Sequence, residues 1–329
     1  MNADGVGVDQ ITTKSCAIRW KAPEKGIFAV KLIASRQNNV VFEFQRNVRF
    51  IDYWVVAVGD SFSSGEGNPD KAKNETIAGR ADWLSEKCHR SKKSWPYKIY
   101  EKLLHYTRNR FAVHFTFLAC TGASIDSGLL PILSQLDTVE AIRKLNGNGP
   151  ELLMLSAGGN DVGFTSVINQ LLHKRSLSAS RITLRLLFVE QQLRRLAKRL
   201  KDEIKPSQVI IPTYFQFANN EEGKLDTKCA DLAQMTKRDL RFAESRILQR
   251  LNEMIETKAH EYGWTAIPEV TELFDKAGLC AKNPLIRTSL DSIQLQGDTS
   301  GALHPTNEAH SQIADLIFSK LNFRDFIPN

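Results

Sequence analysis

Five short apolar runs recur along the chain with helical stretches between them: YWVVAV (53–58), FAVHFTFL (111–118), ELLMLSA (151–157), QVIIPTYF (208–215) and GWTAIP (263–268). Each shows little alternation of apolar with polar residues. A strand covered on one face alternates, whereas a strand covered on both faces does not. Strand–helix alternation of this length predicts an α/β fold: three α/β/α layers around a central, mainly parallel five-stranded sheet. Helices are expected over 94–104, where SWPYKIYEKLL opens with Ser and an early Pro, over 234–262, with Leu240, Ile247, Leu251, Met254 and Ile255 on one side, and over 306–321, with Ile313, Leu316 and Ile317 inward.

Residues 16–50 have a different texture. CAIRW, GIFAVKLIAS and VVFEFQ are rich in β-branched and aromatic residues, and KAPEKG and RQNN break them apart. Three short antiparallel strands are expected. Fifty residues make a poor independent domain. The expected organisation is an N-terminal β appendage over 1–50, or the tail of a larger β-domain, followed by one α/β domain over 51–329.

The hydrophobic fraction of 42% and charged fraction of 25% leave enough apolar side chain for a sizeable core. No apolar run approaches the ~18 residues of a membrane span. The opening MNADGVGVDQITTKS lacks the basic start and apolar stretch of a secretory signal, which suits an intracellular protein or a mature or fragment sequence. Much of the net charge of +7 lies between Lys174 and Lys205, on a helical pattern with Leu186, Leu187, Val189, Leu193, Leu196 and Leu200 as its apolar stripe. A solvated face explains it, with peripheral contact to an anionic surface as the alternative. No aromatic platform or zinc pattern accompanies the charge, so a nucleic-acid partner is not expected. None of Cys16, Cys88, Cys120, Cys229 and Cys280 has CxxC spacing, which argues against a structural zinc. Two bridges with one odd thiol, or five free thiols, both remain open from the residues alone.

In a parallel sheet the loops leaving the carboxyl ends of the strands gather at one edge, where ligands bind. Three such segments carry unusual polar content: GDSFSSG, ACTGAS and GGNDVGF. A fourth, LHPT, precedes the final helix. Gly59 permits a tight corner that presents Ser61. Gly122 admits close approach to a backbone N–H, or marks a plain turn. Asn160 offers a neutral donor to a developing negative charge. His304 is a candidate general base. Singly, each is a common loop composition.

Together, in the order Ser, Gly, Asn, His, they resemble the SGNH hydrolases, the GDSL-type esterases and lipases, over about residues 53–320. The chain is most similar to secreted bacterial members with the runs GDSFSSGEGNP, CHRS, SWP, ACTGAS, GGNDVGF and HPT followed by a second His. It carries Cys88-His89-Arg90-Ser91 and His310 at those places. The resemblance implies that Ser61 is the nucleophile and His304 its base. The oxyanion hole would comprise the Ser61 and Gly122 N–H groups and the Asn160 side chain. It implies a monomeric hydrolase of carboxylic esters, with no metal and no organic cofactor. The substrate would be a lipid, a short-chain acyl ester or an acetylated glycan. A carbohydrate O-acetyl esterase, or a catalytically weak glycan- or lipid-binding protein on the same fold, is the alternative.

Many members place an Asp three residues before the His, where this chain has Gly301. The second ring N–H then needs another acceptor, either a backbone carbonyl near that point or Asp298. Asp60 is expected to brace the turn. The resemblance also implies the bridges Cys88–Cys120 and Cys229–Cys280, leaves Cys16 unpaired, and with them implies a secreted or extracytoplasmic location. The long loop from Glu66 to Trp95, with Trp83 and Trp95, is read as an acyl-pocket wall or lid, or as a surface insertion held by Cys88.

Overall fold

The computed structural model describes residues 10–15, 17, 18, 20, 26–37, 39–50, 52–107, 111–175 and 178–321; Cys16 lies outside them. Two compact units divide the chain: Met1–Tyr53 with Leu104–His114, and Trp54–Leu103 with Phe115–Asn329.

In the first unit, strands β1 (Gly26–Arg36) and β2 (Asn39–Phe50) form an antiparallel hairpin, paired from Gly26↔Phe50 to Arg36↔Asn39 with a register shift between Ala34 and Ser35. Gln37 turns the chain with φ +50°. Two long strands thus replace the three short ones expected. Among the described residues of 10–20 there is no strand. The turn falls at Gln37, and pairing runs on through the polar stretch Gln45-Arg46-Asn47 because each residue there has a ladder partner.

The chain then alternates as expected. Strand β3 (Asp52–Gly59), the short helix α1 (Ser61–Ser64), α2 (Trp95–Thr107), β4 (Ala112–Phe117) and α3 (Gln135–Asn146) come first. Next are β5 (Leu152–Ser156), α4 (Phe164–Leu172), α5 (Ala179–Arg199), β6 (Gln208–Pro212), α6 (Lys237–Ala243) and α7 (Gln249–Tyr262). Strand β7 (Thr265–Ile267), α8 (Ser289–Leu295) and α9 (Asn307–Lys320) complete it. The five-stranded sheet has the order β4-β3-β5-β6-β7, and the pairs β3–β5, β5–β6 and β6–β7 are parallel.

The runs at β3 and β5 are strands because both of their faces are covered, whereas β4, at the sheet edge, is partly exposed, which corrects the expectation for 111–118. Residues 53–59 of β3 and all of β5 are buried. Leu152, Leu153, Met154 and Leu155 are at most 1% exposed, each stabilising the fold by about 1.5–3 kcal/mol. The chain leaves β3 toward β4 on one side and continues from β5 toward β6 on the other. The carboxyl ends of β3 and β5 therefore flank the crevice where the strand order reverses, the usual ligand position in such sheets. Their last residues, Gly59 and Ser156, are register partners.

Candidate active site

Gly59 is fixed by crowding. At φ +132°, a Cβ there would lie 2.3 Å from the Ser156 carbonyl oxygen. The Gln135 side chain closes its backbone, accepting from Gly59 N (2.8 Å) and donating to Gly59 O (2.9 Å). The next residue, Asp60, caps α1 through the Phe62 N–H (3.0 Å) and accepts from Ser156 Oγ (2.6 Å) and Tyr214 Oη (2.6 Å). It is 3% exposed and braces the corner, as expected. Burial, and then the Asp60 charge, raise the Tyr214 pKa well above its ordinary value, so the phenol remains a donor.

The corner presents Ser61 at the crevice. Its Oγ lies 2.8 Å from His304 Nε2, although the two residues are 243 positions apart. His304 Nδ1 lies 3.1 Å from the Ala302 carbonyl oxygen. That carbonyl, and not Asp298, holds the ring, which corrects the expectation for Asp298. The Asp298 Oδ1 accepts instead from Gln296 Nε2 (2.7 Å) and Ser300 N (2.8 Å). Gly301 cannot carry a carboxylate either. A Cβ there would lie 2.5 Å from Gly67 Cα and 2.8 Å from Ser292 Oγ. Leu303 sits at φ +65°, an uncommon region for a branched side chain. Two backbone bonds to Arg287 hold it and its neighbour: Leu303 N to Arg287 O (2.9 Å) and Arg287 N to His304 O (2.8 Å).

The other two loops meet beside Ser61. Asn160 Nδ2 donates to Ala123 O (2.8 Å), and Asp161 Oδ1 accepts from Ile125 N (2.9 Å). Gly159 N donates to Tyr214 Oη (3.0 Å), which ties this loop to Asp60. Gly122 has φ +74°, and a Cβ there would meet no atom within 4 Å. Its glycine is therefore required by the left-handed backbone and not by crowding. Among the described residues, neither Ser61 N nor Gly122 N has an acceptor. Burial, with the nearby Asp60 charge, raises the Asp161 pKa to about 6.

A cavity of about 380 Å³ opens from Ser61, Asn160 and His304. Phe164, Ile168 and Leu172 of α4 form one wall, and Phe215, Phe217 and Leu251 another. The loop 66–95 contributes no residue to it. Trp95 is fully buried, and Trp83 stacks on His89 with ring centroids 4.5 Å apart. That loop therefore does not line this cavity, and Cys88 ties it to Cys120.

The CHRS run has a structural account. Cys88 is bridged to Cys120, and Cys229 to Cys280, as expected. His89 Nδ1 is 2.8 Å from Glu66 Oε2, Arg90 donates to the Phe117 carbonyl, and Ser91 Oγ donates to Asp70 (3.1 Å). His310 is a packing residue: its Nδ1 accepts from Trp95 N (3.2 Å), and burial lowers its pKa to about 3. Among the described residues no cluster of three or more His, Cys, Asp or Glu groups could hold a metal. Sequence reasoning missed Tyr214, Gln296 and the Glu66–His89 pair. Glu66 and His89 lay inside the motif runs GDSFSSGEGNP and CHRS, whereas Tyr214 and Gln296 carried no comparable signal.

A model of the GDSL-like lipase/acylhydrolase family matches residues 57–312. No curated protein sequence matches. Among solved structures, an extracellular lipase from Streptomyces rimosus is similar at 23% identity and TM-score 0.58, over 82% of this chain and 98% of its own. A phospholipase A1 from Streptomyces albidoflavus is similar at 20% identity and TM-score 0.55, over 82% and 99%. These likenesses establish the shared fold.

Proposed function

The chain belongs to the GDSL-like lipase/acylhydrolase family of carboxylic ester hydrolases, and on that premise we propose that it works through a Ser61–His304 dyad acting on acyl esters. The 2.8 Å approach of His304 Nε2 to Ser61 Oγ carries the reading. His304 holds its Nδ1 proton toward the Ala302 carbonyl, which leaves Nε2 as the acceptor for the serine proton. Ser61 Oγ attacks the ester carbonyl carbon, and Nε2 takes the hydroxyl proton. The tetrahedral oxyanion is met by the Ser61 and Gly122 N–H groups and by the Asn160 Nδ2–H that is not used on Ala123. The imidazolium returns the proton to the departing alcohol, leaving an acyl-Ser61 ester. Water, deprotonated by the same nitrogen, then releases the acid.

The cavity supports an aliphatic acyl group over an acetylated glycan. A sugar needs convergent polar partners, whereas Phe164, Ile168, Leu172, Phe215, Phe217 and Leu251 make the lining mainly apolar, with Thr165 and Asn169 the polar exceptions on α4. At roughly 30 Å³ for each methylene-sized group, the space holds about a dozen of them. Two disulfides fit an oxidising, extracytoplasmic compartment. The test is hydrolysis of p-nitrophenyl acetate, butyrate and octanoate by the wild-type and Ser61→Ala chains. Turnover is expected in the wild type, with a loss of about 10⁴-fold or more in Ser61→Ala at unchanged Tm. Equal rates in the two would remove the dyad.

A further inference from the structure

No side-chain carboxylate touches the His304 ring among the described residues, yet one is buried close by. Glu66 follows Ser61 by one helical turn, and its N–H donates to the Ser61 carbonyl (3.3 Å). Its side chain is fully buried. Both carboxylate oxygens lie within 2.9 Å of His89 Nδ1, and Oε1 also accepts from Gln296 Nε2 (2.8 Å). Thr121, beside Gly122, lies near the carboxylate, and His304 is close enough to attract it electrostatically. One group therefore links the nucleophile turn to the histidine loop.

The backbone around it closes on the same histidine loop. Gly67 N donates to Gln296 Oε1 (3.1 Å). Gly67 and Gly301 pass so closely that a side chain on either would displace the other: a Cβ on Gly67 would lie 3.0 Å from Gly301 O. Asn68 Nδ2 donates to Pro305 O (2.8 Å), and Arg287 donates to Asn68 Oδ1 (2.8 Å). The segment 66–68 thus grips the loop on both sides of His304. On the outer side, Trp83 stacks on His89, which is itself held at φ +44°. A buried carboxylate is costly unless it is paired and hydrogen-bonded. Here His89 and Gln296 supply those partners, and an amide nitrogen in place of Oε2 could not accept from His89.

We propose that Glu66 is the positioning residue for His304, holding the 296–304 loop in register with Ser61 through Gln296 and placing a fixed negative charge beside the imidazolium that forms during acyl transfer. This rests on the dyad reading above. The charge acts at a distance, with His89 and Gln296 as its direct partners. Asp298 and Glu86 add negative charge on the His89 side. Transition-state imidazolium is stabilised by such a charge, whereas the neutral resting imidazole is not.

The test compares wild-type, Glu66→Gln, Glu66→Asp and Ser61→Ala chains by p-nitrophenyl butyrate kinetics across pH and by the rate of fluorophosphonate labelling at Ser61, with Tm for each. In Glu66→Gln, kcat and the labelling rate are expected to fall by about 10–100-fold with KM within about threefold, on the scale of lost orienting partners. Glu66→Asp, which keeps the charge on a shorter arm, recovers part of the rate. A kcat for Glu66→Gln within threefold of wild type, or a loss equal in Gln and Asp, overturns the proposal. Should Glu66→Gln not fold, Gln296→Ala gives the reading: it keeps the Glu66–His89 pair but releases Gly67, and an unchanged kcat there overturns the proposal. Wild-type turnover in Ser61→Ala, with no fluorophosphonate uptake by the wild type, would end the dyad itself and the proposal with it, an outcome distinct from any result at position 66.

Discussion

The Ala302 carbonyl oxygen sits 3.1 Å from His304 Nδ1, so the imidazole is oriented by the backbone two residues before it. A carbonyl fixes the tautomer as well as a carboxylate does, but it carries no full charge. Asp298 is spent on Gln296 and Ser300. Asp298→Asn keeps an acceptor for the Ser300 N–H. It is expected to lower kcat by less than about tenfold, against the ~10⁴ that follows loss of a true triad acid. Steady-state kinetics on p-nitrophenyl butyrate decides between the two.

The sheet and the three loops at its edge were legible because they rest on strong local signals. β3 and β5 are short apolar runs buried on both faces, and Ser61 and Asn160 each follow one; Gly122 follows β4, apolar in sequence but partly exposed at the sheet edge. The Nδ1 partner was not legible, because any residue near His304 offers a carbonyl and none advertises it. Gly301 read as a missing aspartate. Its cause is the Gly67 backbone, brought against it only by the fold. Trp83 and Trp95 suggested a lid, since an aromatic residue signals burial without saying against what. Trp83 covers His89, and Trp95 sits in the core.

Asn160 has one amide proton committed to Ala123 O, and the proposed oxyanion hole would use the other. Asn160→Ala removes both. The expected cost is about 10²–10³-fold in kcat with a small change in KM, since the donor acts on the oxyanion more than on the ground-state carbonyl. Asn160→Asp should be at least as slow, because it sets a negative charge where one develops. A KM effect with kcat unchanged would show that the side chain binds substrate and does not stabilise the intermediate.

Chain-length preference should be set on α4. Leu172 lies one turn beyond Ile168 and lines the same cavity as Phe164. Leu172→Trp adds an aromatic ring to that wall. It is expected to lower kcat/KM for p-nitrophenyl decanoate by about tenfold or more while leaving the acetate ester within about threefold, on the scale of a few lost methylene contacts. A uniform loss across acyl lengths would place the acyl group elsewhere.

Asp161 is a liability above about pH 4. Its Oδ2 is buried without a hydrogen-bond partner, and burial lifts its pKa from an ordinary 3.8 to about 6. A carboxyl whose folded value is raised loses folding stability as pH climbs from the unfolded value through the folded one, by up to about 3 kcal/mol here. Asp161→Asn removes that loss. Its Tm should match wild type near pH 3.5, rise above it between pH 4 and 6, and hold a constant lead beyond. A Tm difference independent of pH would show that the carboxyl does not change charge over that range in the folded chain.

The Glu66–His89 pair predicts the opposite shape, with a maximum. The bond from Glu66 raises the His89 pKa above 6.5, against the opposing effect of burial. For Glu66, burial alone would raise the pKa. The hydrogen bond from His89, the pull of His304 and the bonds from Thr121 and Gln296 together hold it below 4.5. A raised histidine contributes stability that is full below its unfolded value and lost as pH rises through the folded one. A lowered carboxylate contributes stability that is full above its unfolded value and lost as pH falls through the folded one. Both contributions are complete only between about pH 4.5 and 6.5. His89→Gln keeps a hydrogen-bond donor for Glu66 but no charge, so the Tm gap between wild type and this variant should be widest in that window and narrow on either side. Thermal melts at half-unit pH steps give the curve. A gap that widens steadily toward pH 9 would mean that His89 stays neutral and that Glu66 is held by its other partners.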